Sequence, residues 1–291
     1  MRQGSLMTTT PRIEDHIEAY LSNEDSTEIS NPIHSTEVAL KFGFRGALIG
    51  GVTVWGWATP AILEAIGDGW LSRGWSEFDF RQPTYPGDQM TIVAEPENGD
   101  PSGAWSVTMT NQDDVLCVRG RVGLGDAEWL GALTTPEAMT AEPSPDPFPA
   151  LTLDSAPTDQ DWRANSVDAT ADFAREFAID KQHAEDLRFV GEEPVLHPAW
   201  TAGWAEGLMR HNVYIPSSMH TRSQVQHLAP IPAGQVVIGG AHFLEAYQRR
   251  AHHFANYDVL LRGEDGTDLA RLRHWTVFRI ATPEERAAAG G

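Results

Sequence analysis

The sequence predicts an α+β protein in which one unit, a buried helix followed by an antiparallel meander, is built twice. Three observations predict it. Apolar residues recur at helical spacing after Gly51 and again after His197. Each stretch is followed by short alternating runs separated by turns, as half-buried strands are. The halves also keep one offset: Pro83 to Pro230, Gly87 to Gly234 and Gly50 to His197 are each 147 residues apart. Equal spacing of a helix start and a turn reads as an internal duplication.

Thr10-Pro11, a capping residue before a Pro at the first helical position, predicts a helix with Ile13, Ile17, Tyr20 and Leu21 on one face. Residues 22–30 (SNEDSTEIS) are polar and turn-like. A short helix is expected over 35–42 with Val38, Ala39 and Phe42 inward, stopped by Gly43. An apolar helix over 51–66 would bury Val52, Trp55, Ile62 and Leu63, with Gly56 and Ala58 leaving room for a sheet. Strands follow at 75–80, 90–96, 104–110 and 115–124, with turns at 83–88 and 111–114. Residues 126–165 are acidic and Pro-rich without periodicity, and read as an extended linker. Thr170 then caps a helix carrying Phe173 and Phe177, and residues 195–198 open an apolar helix with Trp200, Trp204 and Leu208. A strand at 224–228, a turn at 230–234 and three further strand-like runs finish a second meander. The expected domains are 11–125, the linker 126–165 and 166–282, with 1–10 and 283–291 as tails without order.

Composition narrows the function. At 291 residues the chain suits two domains. Its net charge of −20 repels phosphate backbones, which argues against nucleic acid. The same field repels an acidic carrier protein, so an anionic ligand would need a local basic patch. No uninterrupted apolar run reaches the length of about 18 residues that spans a membrane, and the opening MRQGSLMTTT lacks the apolar core of a signal peptide. With Cys117 as the sole cysteine, a disulfide framework and a cysteine-rich metal site are excluded. No HExxH-like spacing appears, so no metal is expected. A cytoplasmic protein is the simplest expectation.

The densest chemistry lies in residues 31–57, NPIHSTEVALKFGFRGALIGGVTVWGW. Asn31-Pro32-Ile33-His34, then Ala39, Gly43-Phe44 and Gly51 form a frame that resembles the signature stretch of the MaoC-like, (R)-specific enoyl-thioester hydratases. The resemblance implies a tandem (double) hot-dog fold, each sheet wrapped round a long helix, and hydration or dehydration of a 2-enoyl thioester. It implies coenzyme A or pantetheine as part of the substrate, no other cofactor, and a homodimer as a possible assembly. In that family the segment reads roughly G-D-x-N-P-(I/L/V)-H, and Asp and His together activate water. Here Glu28 and Ile29 stand where the Gly and Asp would be, and His34 to Ala39 is one residue shorter.

On this reading His34 exchanges the proton of water, and the Gly51 amide, at a helix start, polarises the thioester carbonyl. Asn31 holds the turn or touches substrate, and Gly50 allows close approach. Glu24, Asp25 and Glu28 are the nearest carboxylates in sequence that could replace the Asp. The second half offers another centre: His197 at the equivalent helix start, Glu206 on the same helix, and His220, His227, His252 and His253. Arg249, Arg250 and His252 form a candidate basic patch for a diphosphate, or else a charged strand edge that deters pairing. Two other functions fit the same frame. One is another thioester reaction, hydrolysis or conjugate addition. The other is a non-catalytic acyl-binding protein.

Overall fold

The computed structural model describes residues 11–290, so the expectations for residues 1–10 lie outside the described residues. The first half contains β1 (Ile13–Glu18), α1 (Thr36–Lys41), α2 (Gly51–Gly56), α3 (Thr59–Ile66) and α4 (Trp70–Arg73). It continues with β2 (Gly74–Phe80), β3 (Gln89–Pro96), β4 (Trp105–Thr110) and β5 (Leu116–Leu124). The second half contains β6 (Gln160–Asp161), β7 (Asn165–Ala169), α5 (Ala171–Glu176), α6 (Leu187–Val190) and α7 (Pro198–Asn212). Its meander is β8 (Met219–His227), β9 (Gln235–Arg249), β10 (His252–Gly263) and β11 (Asp268–Arg279), and α8 (Pro283–Ala288) closes the chain.

The first element departs from expectation. Residues 13–18 are a strand, not a helix. Ile13 and Ile17 lie four apart, a spacing that serves either structure, and the available partner decides. β1 pairs with β3, setting Ile13 opposite Ala94 and Ile17 opposite Met90. The expected helix over 51–66 is broken at Trp57 and Ala58 into α2 and α3. Pro60 has no N–H for the preceding turn, so the ladder cannot run through it. Gly56 does leave room, but for Gln182 and the Ala199 methyl on α7 rather than for a sheet. Residues 283–288, expected to lack order, form α8 behind a Thr282–Glu285 capping box.

The strands make one 11-stranded sheet in the order β1-β3-β4-β5-β2-β8-β11-β10-β9-β6, with β7 also on β9. Each half therefore repeats one connectivity, β1-β3-β4-β5-β2 and β7-β9-β10-β11-β8, and the two meet edge to edge at β2 and β8. This is the double hot dog. Gly87 and Gly234, 147 apart, both adopt the left-handed conformation at φ 84° and 90°, so the equivalent turns share a backbone as well as a sequence.

One continuous core runs through both halves, with Trp55, Trp70 and Phe78 in the first and Leu208, Phe243 and Tyr257 in the second. Residues 126–165 lie along the second half as a strap. Leu151 and Trp162 enter the core, and the Thr134 amide donates to Asp258 at 2.6 Å. Asp258 is itself fully buried and paired with Arg273 at 2.6 Å. The acidic, Pro-rich composition precludes a core of its own, yet a few apolar anchors suffice to seat the strap on its neighbour.

Candidate active site

Pro32–His34 form a single 3-10 turn, anchored by the fully buried Ile33 side chain. The turn delivers His34 to the start of α2, where a Cβ on Gly50 would stand 3.7 Å from its Nε2. His34 Nδ1 lies 2.8 Å from the Leu48 carbonyl. A carbonyl can only accept, so Nδ1 carries the hydrogen and Nε2 the lone pair. Burial holds the His34 pKa below its usual value, opposed by the Leu48 hydrogen bond and the Glu206 charge and assisted by Arg210. The ring is therefore neutral near pH 7 and able to accept a proton at Nε2.

The carboxylate missing from the motif has a neighbour supplied by the other half. Asn31 Nδ2 sits 3.1 Å from His34 Nε2 and donates to the Ser218 carbonyl and hydroxyl at 3.0 and 3.1 Å. The Ser218 amide returns a bond to Asn31 Oδ1 at 3.1 Å, and its hydroxyl donates to Glu206 at 2.6 Å. Arg210, one turn along α7, donates to the same Glu206 oxygen at 2.7 Å and to the Ser30 carbonyl at 2.6 Å. Glu206 thus stands behind His34 through Ser218 and Asn31, with its second oxygen outside this network. The three nearby acids of the sequence do something else. Asp25 caps α1 through the Thr36 amide and hydroxyl, both at 2.6 Å, while Glu24 and Glu28 are exposed.

Gly51 opens α2, and among the described residues no side chain caps that helix, so its first amides have no partner there. A Cβ at Gly51 would lie 2.6 Å from the His220 Cβ and 2.8 Å from its Nδ1. Glycine is required here for close approach. His220 packs at 4.2 Å between ring centroids on His274, and burial pushes both imidazoles down, His274 to about 4. The ring nitrogens of both find no partner among the described residues.

Two cavities meet at this point. One, of about 410 Å³, is walled by Phe44, Leu48, Val54, Phe80, Val118 and Met219. The other, of about 390 Å³, is walled by Asn31, Lys181, Gln182, Glu206, Arg210 and Ser218. His34, Gly51 and His220 belong to both. Polar side chains are more numerous around the second cavity, though apolar surface predominates in both.

The equivalent helix start in the second half is closed. Gly51 corresponds to Pro198, which has no N–H, and His197 occupies the capping position with Nδ1 accepting from the Ala199 amide at 3.2 Å. Its ring packs on Phe189 with centroids 4.6 Å apart, and burial lowers its pKa to about 3. His197 lines neither cavity at His34. In this structure it caps α7. His227 lies fully buried against Trp70. Of the expected basic patch, only His252 reaches a cavity. Arg249 and Arg250 stand exposed at the β9–β10 turn, where Arg250 and Ala251 take φ of 48° and 65°. The cationic residues that do line the apolar cavity are Arg81 and Arg286, neither of which carries a motif. Among the described residues no cluster of three or more His, Cys, Asp or Glu could hold a metal. No helix of the described residues is long and apolar enough to cross a membrane.

No protein-family model matches the chain, and no curated protein matches it. Solved structures do. A MaoC-like dehydratase shares 15% identity over 87% of this chain and 90% of its own, with a TM-score of 0.56. RV0216 from Mycobacterium tuberculosis, described as having a double hot-dog fold, shares 15% identity over 82% of this chain and 84% of its own, with a TM-score of 0.53. Element order, strand connectivity and these likenesses agree: the chain is a double hot dog, of the fold that MaoC-like dehydratases have.

Proposed function

We propose that the chain adds water to, or removes it from, an acyl thioester, interconverting a 2-enoyl and a 3-hydroxyacyl ester. The observation that carries this reading is the convergence of His34, with its lone pair on Nε2, and the Gly51 amide at the junction of two cavities. In the hydration direction His34 takes a proton from water as the water oxygen bonds to C3. The electron pair moves through C2 to the thioester oxygen, which the Gly51 amide stabilises as an enolate. C2 then regains a proton, restoring His34. Water must displace the Asn31 amide from Nε2 for the first step, and Asn31 keeps two acceptors on Ser218 when it does. Glu206 balances the imidazolium through Ser218 and Asn31, whereas the Asp of the resembling family joins the His in activating water.

A second reading rests on Glu206 itself. A carboxylate in the cavity could activate water against the thioester carbonyl, giving hydrolysis. Purified protein with 2-enoyl-CoA esters separates the two: hydration removes the conjugated absorbance without releasing thiol, and hydrolysis releases thiol. Turnover lost in His34→Ala supports the first reading. Well-folded protein that does neither, across short and long esters, overturns both and leaves an acyl-binding role. Ile29→Asp is the companion variant, since a latent hydratase gains activity from it.

A further inference from the structure

The charge around the apolar cavity runs against the charge of the protein. The chain carries 41 acidic residues against 21 basic ones. Yet among the described residues no carboxylate lines the cavity that Phe44, Leu48 and Phe80 wall, while Arg81, Arg286 and His252 do. Arg81 is exposed, and among the described residues its guanidinium has no ion pair or hydrogen bond. Arg286 uses its two terminal nitrogens on the carbonyls of Ala281 and Phe42, at 2.8 and 2.9 Å, which orient it without neutralising it. Those bonds tie α8 to the residues after α1 and fix the guanidinium at the cavity. His252 accepts from the Ala281 amide at 3.1 Å, and burial, with Arg286 and Arg279 beside it, holds it neutral. Two arginines without an ion pair among the described residues, at a largely apolar cavity that reaches a proton acceptor, describe a site for an elongated ligand with an anionic end.

We propose that Arg81 and Arg286 bind the phosphates of a coenzyme A carrier, so that its pantetheine arm enters through the apolar cavity and places the thioester at His34 and Gly51. The inference rests on the thioester reading above and specifies the side from which the carrier comes. A planar guanidinium suits phosphate oxygens, and the surrounding net charge of −20 disfavours an acidic carrier protein at this mouth. The patch first expected at Arg249 and Arg250 is thereby moved to residues far apart in sequence, one after β2 and one in the last helix.

The test compares the affinities of full-length protein for coenzyme A, 4′-phosphopantetheine and pantetheine, by calorimetry or NMR titration, in wild type, Arg81→Ala and Arg286→Gln. Wild type should prefer coenzyme A to pantetheine, and each variant should reduce that preference about tenfold, the usual scale of one charge-assisted contact. Salt should weaken the preference in wild type more than in either variant. Loss shared by 4′-phosphopantetheine assigns the contact to the first phosphate, and loss confined to coenzyme A assigns it to the adenosine-linked phosphates. The Arg81 side chain makes no hydrogen bond or ion pair among the described residues, so Arg81→Ala remains informative if Arg286→Gln loosens α8. A wild-type preference unchanged in both variants, or no preference at all, overturns the proposal. Turnover of thioesters in that case leaves the hydratase reading standing, whereas failure of every thioester to bind or react removes both.

Discussion

Glu77 and Gln224 face each other in register across the seam between β2 and β8, and they are also 147 residues apart, the offset of the duplication. Each is therefore the counterpart of the other, and the pseudo-two-fold axis passes between them. Their side chains meet there: Gln224 Nε2 donates to Glu77 Oε2 at 3.0 Å, and Arg222 donates to Oε1 at 2.6 Å. A symmetric seam would have set like against like, Glu on Glu or Gln on Gln. Divergence of the copies has made the central pair complementary.

Gln224→Glu restores the like pair. It removes the hydrogen bond at a position only 5% exposed and opposes two carboxylates, which should cost about 1–3 kcal/mol. Urea unfolding at pH 7 measures it, and the loss should shrink as pH falls into the carboxylate range. A midpoint equal to wild type would show that the seam does not depend on this pair.

Glu206→Gln separates a positioning role from a structural one. Glu206 raises the His34 pKa, and on the proposed function His34 works only when neutral, so kcat/KM should rise with pH through that pKa. Removing the charge should move this acid limb to lower pH and reduce the plateau about tenfold or more. A variant with a lower plateau and an unmoved limb would make Glu206 a packing residue only.

Gly51→Ala should be poorly tolerated, at about 1–3 kcal/mol with loss of turnover, because the new methyl would press on His220. The nearest atom is the His220 Cβ, at 2.6 Å, so His220→Ala should not rescue it while His220→Gly should in part. Rescue by His220→Ala would mean that the ring, not the strand, limits the approach. Thermal unfolding of the single and double variants decides.

Buried imidazoles set the acid limit of the fold. His197 has a pKa near 3, and His227 and His274 near 4, all lowered by burial from an ordinary 6.5. The unfolded chain binds these protons first, so stability is full above pH 6.5 and falls as pH drops toward the folded values. Each should forfeit about 2 kcal/mol at pH 5 by linkage. Unfolding free energy measured from pH 8 to pH 5 should drop by several kcal/mol, and a flat profile would refute the buried neutral state.

Sequence order and period made the fold legible, because helix starts, turns and alternating strands repeat in both halves. β1 was not, since Ile13 and Ile17 satisfy two periods and only the edge of β3 chooses between them. Within the site, local signals found what is local: His34, Asn31 and the glycines all lie on one stretch of chain. Glu206, Ser218 and His220 come to them from the other half, and Arg81 and Arg286 are brought to one cavity from different halves of the chain. No spacing in one sequence reports a contact made by folding two copies together. His197 misled for a related reason, as an equivalent position need not keep an equivalent task once Pro198 has removed the amide.

That proline has a consequence for counting. An assembly of two identical single hot dogs would carry the same helix start twice and bind two ligands by symmetry. In this chain one start is left open and the other is sealed by its own imidazole, so saturation should come at one equivalent per polypeptide. On the proposed function the sealed copy takes no part in the chemistry, and its helix is free to lend Glu206 and Arg210 to its neighbour.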